Sequence, residues 1–304
     1  MVKTSFFDEI ERNKRKTWIL IIIFVVIVAA LGFAIGYIWN APIIGIAIAT
    51  IISLVMIMTA WSNGDQMILS MSKAKEVKKQ EHPHLVNSVE GIAIAAGLPA
   101  PKVYMIDDTA INAFATGRDP QHASITVTKG AVDRLNREEL EGVIAHEMGH
   151  IKNYDIRLMI FIVILIGSIV LLSDILLRSF IFSGGGRSRD REGGQAQVII
   201  IVIALVLAIL APIIAHLTRM AISRKREYLA DATGALLTRY PPGLANALKK
   251  IRDDKQPIVE AANKSTANLF IANPFSRKQM KSWMNRIFAT HPPINDRIKR
   301  LEEM

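Results

Sequence analysis

No cysteine occurs in the 304 residues. That absence excludes a disulfide-stapled secreted domain and leaves nitrogen and oxygen as the strong donors for any bound metal. Aromatic residues make up only 7% of the chain and no basic run is interleaved with them, so a nucleic-acid surface is not expected. With 12 prolines and 18 glycines the sequence is also too poor in both for collagen-like or low-complexity structure. Charge is missing over one long stretch: residues 17–64 contain no Asp, Glu, Lys or Arg. As a helix rising about 1.5 Å per residue, those 48 residues would cover ~72 Å, more than two bilayer cores of about 30 Å each.

What is present agrees with a membrane protein: 51% hydrophobic residues against 21% charged, and a net charge of +10 suited to acidic headgroups and topology control. The uncharged stretch breaks at Trp39-Asn40-Ala41-Pro42, giving two spans, about 18–39 and 42–61. It is longer than a cleavable signal's apolar region and reads as a retained anchor. Lys3, Arg12, Lys14, Arg15 and Lys16 precede the first span, and the connection between the spans carries no Lys or Arg. The positive-inside rule therefore places the amino terminus, and the chain after two crossings, in the cytoplasm. A second apolar pair, about 158–177 and 197–217, flanks a flexible loop from Ser183 to Gly194. Arg178, Arg187, Arg189 and Arg191 around that loop count against full crossing, so a hairpin partly shielded by protein stays open beside a spanning one.

The expected organisation is residues 1–64 as an arm and first hairpin, 65–157 as the first part of a cytoplasmic α+β domain, 158–217 as the second hairpin, and 218–304 as the rest of that domain. Apolar spacing predicts a helix over Glu81–Ala96. Strands are expected at Lys102–Ile106, Asn112–Gly117 and Ala123–Thr128, the last two joined by a turn at Arg118–Gln121. A helix is expected from Gly130 to Leu135. Asn136, followed three residues on by Glu139, is a capping-box signature for another running from Arg137 through at least Tyr154.

On that last helix lies His146-Glu147-Met148-Gly149-His150. Histidines four apart project from one helical face, so both imidazoles can meet one ion while Glu147 reaches a water in the open position; this is the HExxH zinc pattern. A third protein ligand is wanted, and Glu227 supplies a carboxylate, with Asp231 one turn later placed to accept the Nδ1 proton of a ligating histidine. From spacing alone, a solvated pair of acids beside a basic run remains the alternative for those two. Two crossings between His146 and Glu227 return the chain to one side, as a shared ion requires.

Taken in order, the two-span hairpin, Asn112-Ala-Phe-Ala-Thr-Gly117, the HExxH helix, the second hairpin, Glu227-Tyr-Leu-Ala-Asp231 and His291-Pro-Pro-Ile-Asn-Asp-Arg297 resemble the HtpX-type membrane metalloproteases, relatives of the CAAX prenyl endoproteases and the mitochondrial Oma peptidase. The resemblance covers nearly the whole chain. It implies a multi-pass α-helical membrane protein with a cytoplasmic zincin-like domain, in a bacterial plasma membrane, holding one Zn²⁺ per chain on His146, His150 and Glu227. It implies a zinc endopeptidase of the gluzincin type that degrades damaged or misassembled membrane proteins. It also brings His291 and Arg297 toward the cleft as further catalytic candidates, and makes Asn112, Ala113, Phe114, Ala115, Thr116 and Gly117 an edge for an extended substrate. The other readings are a narrow-specificity processing protease and a non-enzymatic four-span scaffold or transporter, for which internal duplication and mid-membrane charges are lacking.

Overall fold

The computed structural model describes residues 6–38, 40–163, 224–254, 270–271 and 292–304. Most of the second hairpin, its loop, Asp174, His216 and His291 therefore lie outside the described residues. Two long helices come first, α1 (Phe6–Ile38) and α2 (Pro42–Met71). Both are long and apolar enough to cross a membrane. Asn40, at φ 55°, makes the reversal between them, and Pro42 opens α2. Ile43, Ile44, Ile51 and Met58 are exposed, an apolar surface suited to lipid and poorly suited to water. Both helices outrun their uncharged segments, so that Arg12 to Lys16 and Asp65 ride on helix beyond the apolar stretch.

Small residues set the distance between α1 and α2. A Cβ at Gly36 would lie 2.7 Å from the Ala41 carbonyl oxygen, and a Cβ at Gly45 2.9 Å from the Gly36 Cα and closer still to the Gly32 carbonyl. Close backbone approach of this kind is how helices associate in lipid, where burying apolar side chains brings no gain.

After α2 the chain builds β1 (Lys75–Glu76), α3 (Pro83–Ala96), β2 (Lys102–Ile106), β3 (Ala113–Gly117), β4 (Ala123–Thr128), α4 (Lys129–Arg134) and α5 (Arg137–Lys152). A 3₁₀ turn at Pro120–His122 joins β3 to β4, capped by the Asp119 side chain. The sheet order is β1-β2-β4-β3, with β2 and β4 parallel and the outer pairs antiparallel. β3 is thus an edge strand among the described residues. Two-residue β1 is too short to leave a sequence pattern and was not expected.

Residues 155–163 form a further helix, α6, followed among the described residues by α7 (Arg224–Thr238), α8 (Pro241–Asp253) and α9 (Ile294–Glu302). The main core joins one face of the sheet to these helices through residues such as Val89, Ile125, Val143, Ile144 and Leu248. A second cluster ties the hairpin to the domain: Ala60 and Ile68 of α2 share it with Phe114 of β3 and with Ile160 and Phe161 of α6. Leu158 and Ile162, on the other side of α6, pack with Leu20, Phe24 and Val28 of α1.

Asn136 and Glu139 exchange the two bonds of the capping box at 2.9 Å each. The helix they open does not run through Tyr154, however. It stops at Lys152, and Tyr154 turns the chain at φ 58° before α6 begins. A buried Asn at 153 and the left-handed residue after it break the ladder that the apolar spacing would have continued.

Two glycines separate packing from propensity. Gly45→Leu is expected to lower the apparent melting temperature in detergent, because its side chain has no room against α1. Gly91→Ala, in the open middle of α3 with no atom within 4 Å of the new Cβ, is expected to raise stability by about 0.5–1 kcal/mol. Thermal unfolding of both variants measures the contrast.

Candidate metal centre

α5 and α7 cross at small residues. A Cβ at Gly234 would sit 3.0 Å from the His146 nitrogen, and one at Gly149 would lie 3.2 Å from the Ala230 Cα. That approach lays Glu227 and Asp231, one turn apart on α7, against His146 and His150, one turn apart on α5. One ligand atom from each of His146, His150 and Glu227 falls within 4.8 Å of the others. The two Nε2 atoms are 3.3 Å apart, and the Glu227 oxygens stand 3.9 Å from that of His146 and 3.7 Å from that of His150.

Each imidazole is oriented from behind. His146 presents Nδ1 to Asp231 Oδ1 at 2.9 Å, and His150 presents Nδ1 to Asp155 Oδ2 at 3.0 Å. A carboxylate on Nδ1 holds a proton there, so that Nε2 is the nitrogen left to face an ion. Asp231 is the partner expected from the sequence. Asp155 was not singled out: on an uninterrupted helix a residue five positions after His150 points about 140° away from it, and only the turn at Tyr154 brings it back.

The donor set fits a tetrahedral divalent ion. Two nitrogens bound at 2.0–2.1 Å at the tetrahedral angle stand about 3.3–3.4 Å apart, which matches the observed Nε2 separation. The slightly wider oxygen distances are within reach of a small rotation of the Glu227 side chain.

Arg297 of α9 lies beneath this cluster, fully buried. Its Nε and Nη2 donate to the two oxygens of Asp231 at 2.9 and 2.7 Å, and Nη1 donates to the Ile271 carbonyl at 3.2 Å. Nη1 also lies 3.5 Å from Glu227, and Nη2 is 3.3 Å from His146 Nε2. From the sequence, Arg297 is a candidate to orient the acids or to assist catalysis; in the structure its fork meets Asp231, the acid behind His146, with Glu227 close by. His291, the other candidate, falls outside the described residues.

Burial governs the charge states. It drives the His146 imidazole down to about 4, helped by the adjacent Arg297 guanidinium and opposed by Asp231. His150 is also disfavoured as a cation by burial, but the Asp155 hydrogen bond and the Glu227 charge outweigh this and raise it to about 9. Burial pushes the Glu147 carboxyl up to about 7; Glu227 adds to the rise, while His150, Arg297 and the Ala115 backbone amide oppose it. Asp231 is pulled down to about 2, against its burial, chiefly by Arg297.

That Ala115 amide belongs to β3, the strand proposed from sequence as the substrate edge. The structure puts Asn112 and the whole of β3 in the buried interior, with Asn112 Oδ1 accepting from the Ala113 amide at 3.0 Å. The outward carbonyl of Ala113 already accepts from the Ile271 amide at 2.9 Å, and Phe270 packs edge-on against Phe114. Asn112 O accepts from Thr128 N on β4, so by alternation Phe114 and Thr116 turn their backbone groups to β4 while Ala115 and Gly117 turn theirs outward, the Ala115 amide already bonding Glu147.

Residues 79–304 match Peptidase family M48. A protein named "Protease HtpX homolog" from Dictyoglomus thermophilum is 47% identical over 300 residues, covering 99% of this chain and 95% of the relative. One of the same name from Lactobacillus helveticus is 45% identical over 302 residues, covering 98% of this chain and 99% of its own. The crystal structure of S. mikatae Ste24p aligns with a TM-score of 0.49 at 18% identity, over 93% of this chain and 62% of that longer one.

Arg297→Leu is expected to remove the guanidinium that Asp231 and Glu227 share and to cost about 3–5 kcal/mol, as breaking a buried ion pair does. Thermal unfolding of the metal-free protein measures this directly, with Arg297→Lys recovering part of the loss.

Proposed function

The chain belongs to peptidase family M48 and to the HtpX proteases, and from that membership and its His-His-Glu cluster we propose that it is a zinc endopeptidase of the plasma membrane, acting on damaged or misassembled membrane proteins. The observation that carries the reading is the convergence of His146 Nε2, His150 Nε2 and the Glu227 carboxylate, with both Nδ1 atoms already committed to carboxylates. His146, His150 and Glu227 hold one zinc ion per chain. Zinc bound there supplies Lewis acidity to the scissile carbonyl and lowers the pKa of water.

Glu147 takes the proton of the attacking water and hands it to the leaving amine. As a carboxylate it accepts the proton and as a carboxylic acid it returns it, so one side chain serves both transfers. Asp231 and Asp155 keep the imidazoles in the tautomer that donates from Nε2, and Arg297 holds Asp231 in place, a positioning role. Ala115 to Gly117 receive an extended substrate along the open part of the β3 edge, next to Glu147. Asn112, Ala113 and Phe114 shape that edge from within.

For the topology we propose an amino terminus and a catalytic domain in the cytoplasm, with the second hairpin either spanning or partly shielded by protein. Support comes from the arm before α1's apolar stretch: Asn13 contacts Asp155 and Lys14 lies over the Tyr154 ring, so arm and metal cluster share one side of the hairpin. The basic residues of that arm assign the side to the cytosol.

Glu147→Gln is expected to retain about one zinc per chain and to lose ~10²-fold or more in cleavage of an unfolded protein. Metal analysis and proteolysis on the same detergent sample test it; an active variant would remove Glu147 from its role, and a wild type without metal would remove the mechanism. The cysteine-free background allows a topology test. Lys79→Cys, on an exposed site, is expected to react with an impermeant maleimide in inverted vesicles and not in right-side-out cells.

A further inference from the structure

Asn13 is a buried polar residue in the interior of α1, only 1% exposed, ahead of that helix's uncharged segment. Asparagine gains nothing there from helix propensity, and a buried amide is costly unless its bonds are made. Those bonds reach far along the chain. Its Nδ2 donates to Asp155 Oδ1 at 2.8 Å and to the Asn153 carbonyl at 3.1 Å. Its Oδ1 accepts from Arg226 Nη1 at 3.3 Å, and the same nitrogen is 3.4 Å from Asp155 Oδ1. The hydroxyl of Thr17, one turn on, donates to the Asn13 carbonyl.

Asp155 thus has its two oxygens on different duties. Oδ2 takes His150 Nδ1 at 3.0 Å, while Oδ1 is held by Asn13 at 2.8 Å and more distantly by Arg226. The bond from Asn13 is the short one at Oδ1, and it sets the rotation of the carboxylate that orients the imidazole. One neighbouring contact presses the same surfaces together: Lys14 over the Tyr154 ring at 4.7 Å.

We infer that Asn13 is a positioning residue of the metal centre: from the first membrane helix it locks Asp155, and through Asp155 the His150 imidazole, so that the histidine pair is fully braced only while α1 is docked on the catalytic domain. The inference rests on the zinc-site reading above and extends it to the membrane anchor. Partners one shell out from a metal change affinity by about 10–100-fold when removed. Asn13, two bonds away from the imidazole through Asp155, acts at the lower end of that range.

The test uses full-length protein in detergent, stripped of metal. Zinc affinity is measured by competition with a chromophoric chelator, and the ligand field by the visible absorption of the Co²⁺-substituted protein. Asn13→Ala and Asn13→Asp are both expected to weaken zinc about tenfold and to shift the Co²⁺ bands. The aspartate variant has the same shape and keeps an acceptor for Arg226, yet has no amide proton for Asp155. Lys14→Ala, which removes a neighbouring ring contact while the Asn13 bonds to Asn153, Asp155 and Arg226 keep α1 docked, is expected to leave both readouts unchanged. In an Asp155→Asn background, Asn13→Ala is expected to cause no further loss, because the path through Asp155 is already cut.

Full zinc affinity and an unshifted Co²⁺ spectrum in both Asn13 variants would overturn the proposal, whatever happened to their melting temperatures. Losses that simply add to those of Asp155→Asn would overturn it as well. A wild type that binds neither ion would instead remove the metal-site reading, and this inference with it.

Discussion

Four carboxylates, two imidazoles and two guanidinium groups are gathered in a space that water barely enters, and the molecule is organised around keeping that cluster satisfied. Glu147, Glu227, Asp231 and Asp155 would each cost several kcal/mol to bury as lone anions. Arg297 meets Asp231 with a two-pronged pair, and Asp155 meets His150, Asn13 and Arg226. Such a network gives little net stability compared with apolar packing. What it gives is direction: each imidazole has one nitrogen committed, so the other points to the shared position.

That direction depends on distances only small side chains allow. Gly149 and Gly234 bring α5 and α7 close enough for both turns of ligands to face each other, and Gly142 admits the backbone of Leu244 at the start of α8. The hairpin uses the same device at Gly32, Gly36 and Gly45, for a different reason. In the domain that carries the metal cluster close approach aims functional groups; in the apolar helices it replaces a hydrophobic driving force that lipid cannot provide.

The hairpin and the catalytic domain are not separate bodies joined by a tether. α6 is buried against both α1 and the β3 side of the domain, and Phe114 on the candidate substrate edge shares a cluster with Ala60 and Ile68 of α2. The candidate edge therefore runs from Glu147 toward the base of the two apolar helices.

Much of this was readable in one dimension because it is written in local periods. Two histidines four apart, an Asn followed by a Glu at the third position, an uncharged stretch broken at Asn40, and the strands at Lys102–Ile106 and Ala123–Thr128 all depend on neighbours along the chain. Glu227 and Asp231 were legible as a pair one turn apart, though nothing local said which histidine Asp231 would take. Asp155 and Asn13 were not legible. Their partnership spans 142 positions, and it needs a left-handed Tyr154 that no periodic pattern announces. Local spacing determined which groups could bind and on which helix face they stood. Tertiary packing alone decided which acid braces which imidazole, because that depends on where a turn and a few glycines let distant helices meet.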